Sequence, residues 1–365
     1  MAEVKNRDLN LDALRGFAIL GVLGLHSLNN SARHYTTPQT NAWWAVMLTN
    51  RTLNYVVPLF LALSALLYAR ASVSGKPLNW PSFQARRLPG ILYPYILWSF
   101  VAIAFRIVLD GGKTDLLNPG TLIPMLMWGK AMFHLYFMVI LVQLVLVFPV
   151  LNAAVKRYSG SFGVLVGLAL ALQILAFFVQ SKIKFSYPAT TIFWYITPVV
   201  PAIWIGQHYN EWVEHRCRIW STVRVASAFA AWICFMGVSY VELLNENVNG
   251  FASNFSLQVY GLFATILFIG VAAQLTGEPT SLRRGLAWVG VRSLPMYLIH
   301  PFLMRFLGGP SLTQKLAATH VGSLLAYGLL VLCTILAVVT LQITRLDWIL
   351  MGPSVWPKKA IPKPT

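Results

Sequence analysis

Near its N-terminus the chain reads Leu11-Asp12-Ala13-Leu14-Arg15-Gly16-Phe17, and the apolar run continues to His26. Three ionisable residues in one membrane-length helix are expensive, so each is a functional candidate. Arg15 and His26 are eleven residues apart. At 100° per residue they return to nearly the same helix face, about 16 Å apart along the axis. Asp12 stands three residues before Arg15 and can pair with it on that face. Counted by rise, His26 lies about 24 Å from the helix start, toward the opposite membrane surface from Arg15. One stripe therefore offers a guanidinium for an anion near one surface and an imidazole for proton transfer far deeper. A simpler reading makes Asp12–Arg15 an interfacial ion pair and leaves His26 bonded to a backbone carbonyl. The aligned stripe favours function. It suits a molecule with a charged head and a long thin arm, as coenzyme A has, its phosphates held near Arg15 and its thioester reaching His26.

Such a stripe needs a membrane to cross, and the composition supplies one. Hydrophobic residues make up 57% of the chain and charged residues 11%, against roughly 25% charged in soluble domains. Apolar runs such as 162–179, 255–275 and 321–343 approach or exceed the roughly 20 residues a bilayer requires. The expected fold is all-α, a polytopic membrane protein of about ten spans. They fall near 10–29, 50–69, 88–109, 133–152, 161–180, 190–208, 221–241, 255–276, 288–307 and 321–344. The first run carries Asp12 and Arg15 and lacks a small-residue cleavage site, so it reads as a retained helix rather than a signal peptide. Of the 28 Lys and Arg residues, 17 fall on the side of the termini and 9 on the other, with Arg15 and Arg292 inside spans. Cytoplasmic loops are the basic ones, which places both termini in the cytoplasm. Trp43, Trp44, Trp80, Trp98 and Trp128 are expected at span ends, as interfacial aromatics. Residues 1–352 read as one transmembrane domain, and 353–365 as a basic Pro-rich tail, disordered in the cytoplasm. A net charge of +17 belongs to loop topology, and no nucleic-acid role is expected.

Further segments carry a resemblance. Arg15 and His26 match the Arg-ten residues-His motif of the membrane acyltransferase 3 family, within a first helix similar to that family's. Val57-Pro58-Leu59-Phe60-Leu61-Ala62-Leu63-Ser64 resembles its second helix, with Ala65 where Gly is frequent. Arg86-Arg87-Leu88-Pro89-Gly90-Ile91-Leu92-Tyr93-Pro94-Tyr95 is similar to the basic start of the third. His134-Leu135-Tyr136-Phe137 resembles the start of the fourth, and Tyr297-Leu298-Ile299-His300-Pro301 the ninth. These pieces occur in order across most of the chain. The layout is most similar to polysaccharide-modifying members, such as the intercellular-adhesion polysaccharide type.

The resemblance implies an acyl-CoA-dependent O-acyltransferase of the cell membrane. The acyl group is acetyl first and succinyl second, and the acceptor is a hydroxyl of an extracytoplasmic glycan or lipid-linked saccharide. His26 is then the catalytic histidine. It acts either as a base toward the sugar hydroxyl or as a transient acyl carrier. Arg15 holds acyl-donor phosphate or orients the site, and Asp12 fixes Arg15. Arg86 and Arg87 are either a clamp on CoA phosphates or ordinary cytoplasmic cations. His134 is expected to position the acceptor or to sit as a capping or interfacial histidine. Pro301 frees the carbonyl of Tyr297, so His300 is a substrate-side candidate or packing around a kink. Arg51, with Arg33 before it, reads as a reader of an anionic acceptor or a succinyl carboxylate, or as a snorkelling arginine. His34, His208, His215 and His320 are expected to be solvated.

No metal site is expected, because no His pair stands four apart and acidic residues are nearly absent from the spans. Cys217, Cys234 and Cys333 have neither metal nor redox spacing. A transporter or flippase for a saccharide or acyl group is the competing class. Pro58, Pro94, Pro198 and Pro201 could break helices as transporter sites do, but no matching broken segments recur in two halves. A structural or sensory role would leave the Arg15–His26 stripe unexplained.

Overall fold

A computed structural model describes residues 8–73, 79–108, 111, 114–216, 221–244, 249–309 and 311–352. The expected tail, Cys217 and the loop cations Lys5, Arg7, Lys76, Lys113, Arg218, Lys358, Lys359 and Lys363 lie outside these residues. Among the described residues the fold is all-helical, with no strand.

Helix α1, Leu9–His34, begins where Asp8 accepts hydrogen bonds from the Asn10 and Leu11 amides. That cap satisfies donors the helix leaves open at its start. Arg70 then pairs with the same carboxylate at 2.7 Å. Helix α2, Asn41–Thr52, runs through a short 3-10 turn into α3, Val56–Ser72. Helix α4, Trp80–Arg87, leads into α5, Pro89–Val108, and α6, Pro119–Met127, follows. Two long apolar helices come next, α7 over Tyr136–Arg157 and α8 over Phe162–Ile183, then the shorter α9, Ile196–Gln207. The rest comprises α10 (Ser221–Leu244), α11 (Gly250–Gln274), α12 (Ser281–Val291), α13 (Ser293–Leu307), α14 (Ser311–Ala317), α15 (His320–Ile343) and α16 (Asp347–Met351).

Eight of the expected spans are helices, or continuous helical segments, long and apolar enough to cross a membrane. The other two differ. The sixth is a shorter apolar stretch, Ile192–Gln207. The ninth is interrupted at Arg292 into α12 and α13. Arg292 there donates to Gln342 Oε1 at 3.2 Å and to the Trp288 carbonyl at 3.1 Å. A break at this point is sustainable only because protein groups take up the freed polar atoms.

The helices sort by what they face. The α1 span is 72% buried within the protein, whereas the spans of α8, α10 and α15 are 22%, 22% and 17% buried. The outer helices present apolar residues such as Phe178, Leu325 and Ile343 on their exposed faces, as lipid contact requires. Helix α1 is the axis around which α12, α2, α15 and α3 pack. Its closest approach is to α12. A Cβ on Gly16 would collide with the Leu286 carbonyl oxygen, and one on Gly290 with that of Asp12. Small residues are what let membrane helices meet backbone to backbone where no hydrophobic drive exists. This contact fixes α1 in depth beside the interrupted segment. Trp98 departs from expectation. It lies mid-helix in α5, buried, and donates to the Leu350 carbonyl at 3.1 Å.

Candidate active site

Arg15 and His26 line one cavity of about 170 Å³, enclosed mainly by apolar side chains of α1, α3, α5, α7 and α13. The helical register of α1 puts both on the cavity side. The cavity spans the distance between them and contains few polar groups besides Ser64, Tyr68, Tyr136, Ser293 and Tyr297. Asp12 is buried and stands 3.9 Å from the Arg15 guanidinium. The Arg15 side chain keeps about a third of its surface exposed.

Arg86 and Arg87 are exposed in the last turn of α4. Arg87 lies over the Tyr68 ring, 5.0 Å from its centroid. Tyr68 also lines the Arg15 cavity, so Arg87 stands at that end of it while Arg86 is brought to no site residue. Tyr68 links them, a contact between separate helices that residue spacing does not record.

At the other end three histidines meet. The His26 ring stacks 5.4 Å from that of His300 and lies 4.8 Å from Phe133. His134 is 5.7 Å from His300 and 5.1 Å from Tyr297, centroid to centroid. The Tyr297 hydroxyl donates to the His134 carbonyl. His300 is fully buried, and its Nδ1 donates to the Tyr297 carbonyl at 2.7 Å. That is the carbonyl Pro301 frees, so the histidine does mend the kink. It leaves Nε2 of neutral His300 as the unprotonated ring nitrogen, and that atom has no hydrogen-bond partner. His134 lies in the turn before α7 instead of opening the helix. It is buried with neither ring nitrogen bonded, which removes the capping and interfacial readings. Buried polar atoms without partners are uncommon and call for a ligand or water. Three such nitrogens sit beside His26.

His26 also borders a second hollow of about 240 Å³ with Asn29, Arg33, Asn50, Arg51 and Asn54. Arg51 is there, paired with Glu242 at 3.5 Å. Beyond Phe133 opens a third and wider space of about 1010 Å³, reached from the His34 end of α1. Two of the remaining histidines are bound rather than solvated. His208 stacks on Trp204 at 4.2 Å and bonds to its carbonyl, and His320 Nε2 pairs with Thr49 Oγ1 at 3.3 Å. Both rings are amphipathic and find partners wherever a helix end is packed. His34 lines the wide space, and the His215 side chain lies outside the described residues. No group of three or more His, Cys, Asp or Glu among the described residues is placed to hold a metal ion.

The molecule so described is a multi-pass membrane protein in which three clustered histidines are bordered by three hollows. Residues 8–343 match the family model described as an acyltransferase domain, Acyl_transf_3. The chain belongs to that family, and it is a membrane enzyme that transfers acyl groups. No curated protein and no solved structure matches it.

Proposed function

We propose that the protein moves an acyl group, acetyl in the first instance, from cytoplasmic acyl-CoA to a hydroxyl of a glycan or lipid-linked saccharide on the opposite side of the cell membrane. The observation that carries this reading is that Arg15 and His26 line one narrow cavity, with His26 also facing a polar hollow on its other side. A thin acyl-bearing arm suits that cavity, and the CoA phosphates fit Arg15 and Arg87 at its mouth. The excess of basic loops on the side of the termini supports a cytoplasmic Arg15 end.

In this reading neutral His26 takes the proton from the attacking sugar hydroxyl. The sugar oxygen bonds to the thioester carbonyl carbon, the C–S bond breaks, and the departing CoA sulfur recovers the proton from the imidazolium. His134 and His300 supply ring nitrogens for the acceptor hydroxyls. Arg51 is held by Glu242 beside this point and steadies the acceptor from the polar hollow.

The test is CoA release from acetyl-CoA by the full chain in liposomes, with a panel of glycans. Turnover that rises with a glycan and is lost in His26→Ala is expected. Radiolabelled acetyl retained on the protein without acceptor, and lost in His26→Ala, would show an acyl carrier in place of a base. Saccharide movement across the liposome without CoA release would show a transporter.

A further inference from the structure

The wide space beyond Phe133 has a charge that the reaction above does not require. Arg106, Lys130 and Arg305 line it, with His34 and Asn30, and no carboxylate lines it among the described residues. Three cations in one hollow repel one another, and this end of the protein is otherwise the less basic one. Two of them are held facing the hollow by polar or aromatic contacts. Arg106 donates to the Ala131 carbonyl at 3.4 Å, and the Lys130 ammonium lies 4.5 Å from the centroid of the Tyr187 ring. Phe133 forms part of the floor. It is 49% exposed, unusual for a phenylalanine this close to the site, and its ring contacts both His26 and His134. An open aromatic face takes the C–H face of a pyranose ring. Beside it, the ring nitrogens of His134 are buried without partners. At about 1010 Å³ the hollow is of the size that holds a small saccharide.

We infer that this vestibule selects an acceptor carrying an anionic group, a uronate carboxylate or a phosphate. Arg106, Lys130 and Arg305 read the charge, and Phe133 stacks the sugar so that a hydroxyl reaches the histidines. This rests on the acyl-transfer reading and names its acceptor class.

The test uses the full chain in nanodiscs of zwitterionic lipid, with glucose, glucuronate and glucose 6-phosphate as probes read by saturation-transfer NMR. The two anions should bind about 10-fold or more tighter than glucose, as charge-assisted hydrogen bonds imply. Their advantage should shrink when salt is raised from about 0.05 M to about 0.5 M, because exposed charges are screened. R106Q/K130Q/R305Q should bring them to the level of glucose, and Phe133→Ala should weaken all three. Equal binding of the three sugars, or an anion advantage untouched by salt and by the triple substitution, overturns the assignment. Phosphatidylglycerol in the nanodisc that displaces both anions, while glucuronate fails to displace the lipid, assigns the cations to a lipid head group and overturns it as well. CoA release by the same preparation is scored separately. Turnover with no preference for the anions rejects the vestibule assignment alone, and anion binding with no turnover on any acceptor rejects acyl transfer alone.

Discussion

The two compartments on either side of the histidines differ in size and in chemistry. The Arg15 cavity is about 170 Å³, largely apolar, with one arginine in its lining. The vestibule is about 1010 Å³, with two arginines and a lysine and an open floor. A narrow apolar channel holds a chain threaded along it and excludes water from its end. A wide charged vestibule holds a polar molecule by its rim. In the proposed reading the two substrates approach from opposite faces and meet at one imidazole, with Phe133 of the vestibule wall against it. The contrast also separates residues that act on one substrate from those that act on both.

The largest expected effect is at the meeting point. His26→Ala should lower transfer by about 100- to 10,000-fold, the range general acid–base groups contribute, with the protein still extracted as a folded monodisperse species. Residual transfer within a few-fold of wild type would break the assignment of His26. Next, Arg15→Ala should raise the acyl-CoA KM by about 10- to 100-fold, since a hydrogen bond to a charged group is worth about 1.5–3 kcal/mol. The acceptor KM should hold. A change in acceptor KM instead would mean that the two compartments are one.

His300 sharpens the comparison from the structural side. His300→Ala strands the Tyr297 carbonyl, and an unsatisfied buried group costs about 1–3 kcal/mol, so Tm in detergent should fall. His300→Asn keeps an amide donor near Nδ1 and should recover most of that Tm. If Asn restores Tm but not transfer, Nε2 serves the reaction. If it restores both, His300 is only the kink's partner. Phe133→Ala should open the vestibule wall to water, and acceptor-independent acetyl-CoA hydrolysis, followed as CoA release, should rise several-fold as water exclusion is lost. The smallest effect belongs to the exposed cations at the cavity mouth. Arg87→Ala should raise acyl-CoA KM by only about 2- to 5-fold, because exposed charge pairs are worth about 0–1 kcal/mol. Arg86→Ala should do less, since Arg86 has no comparable link to the cavity through Tyr68.

Much of this site is written in short stretches of chain. The register of a helix is local, so the spacing of Asp12, Arg15 and His26 already placed them on one face before any packing was known. The freed carbonyl before Pro301 and its pairing with His300 are likewise local, a matter of four residues. Apolar content alone required a membrane and helices to cross it. What the sequence could not show is the convergence. His26, His134 and His300 come from three segments more than a hundred residues apart, and no periodicity records that their rings meet. The interruption at Arg292 was also invisible, because its partner Gln342 lies on another helix. The same holds for Arg87, which reaches the cavity across Tyr68 of α3, and for Phe133, expected only as the first residue of the fourth span until it is seen against His26. Local geometry set the direction of each side chain along its helix. The depth and rotation of those helices against one another, fixed where Gly16 and Gly290 let two backbones touch, decided which of them share a site.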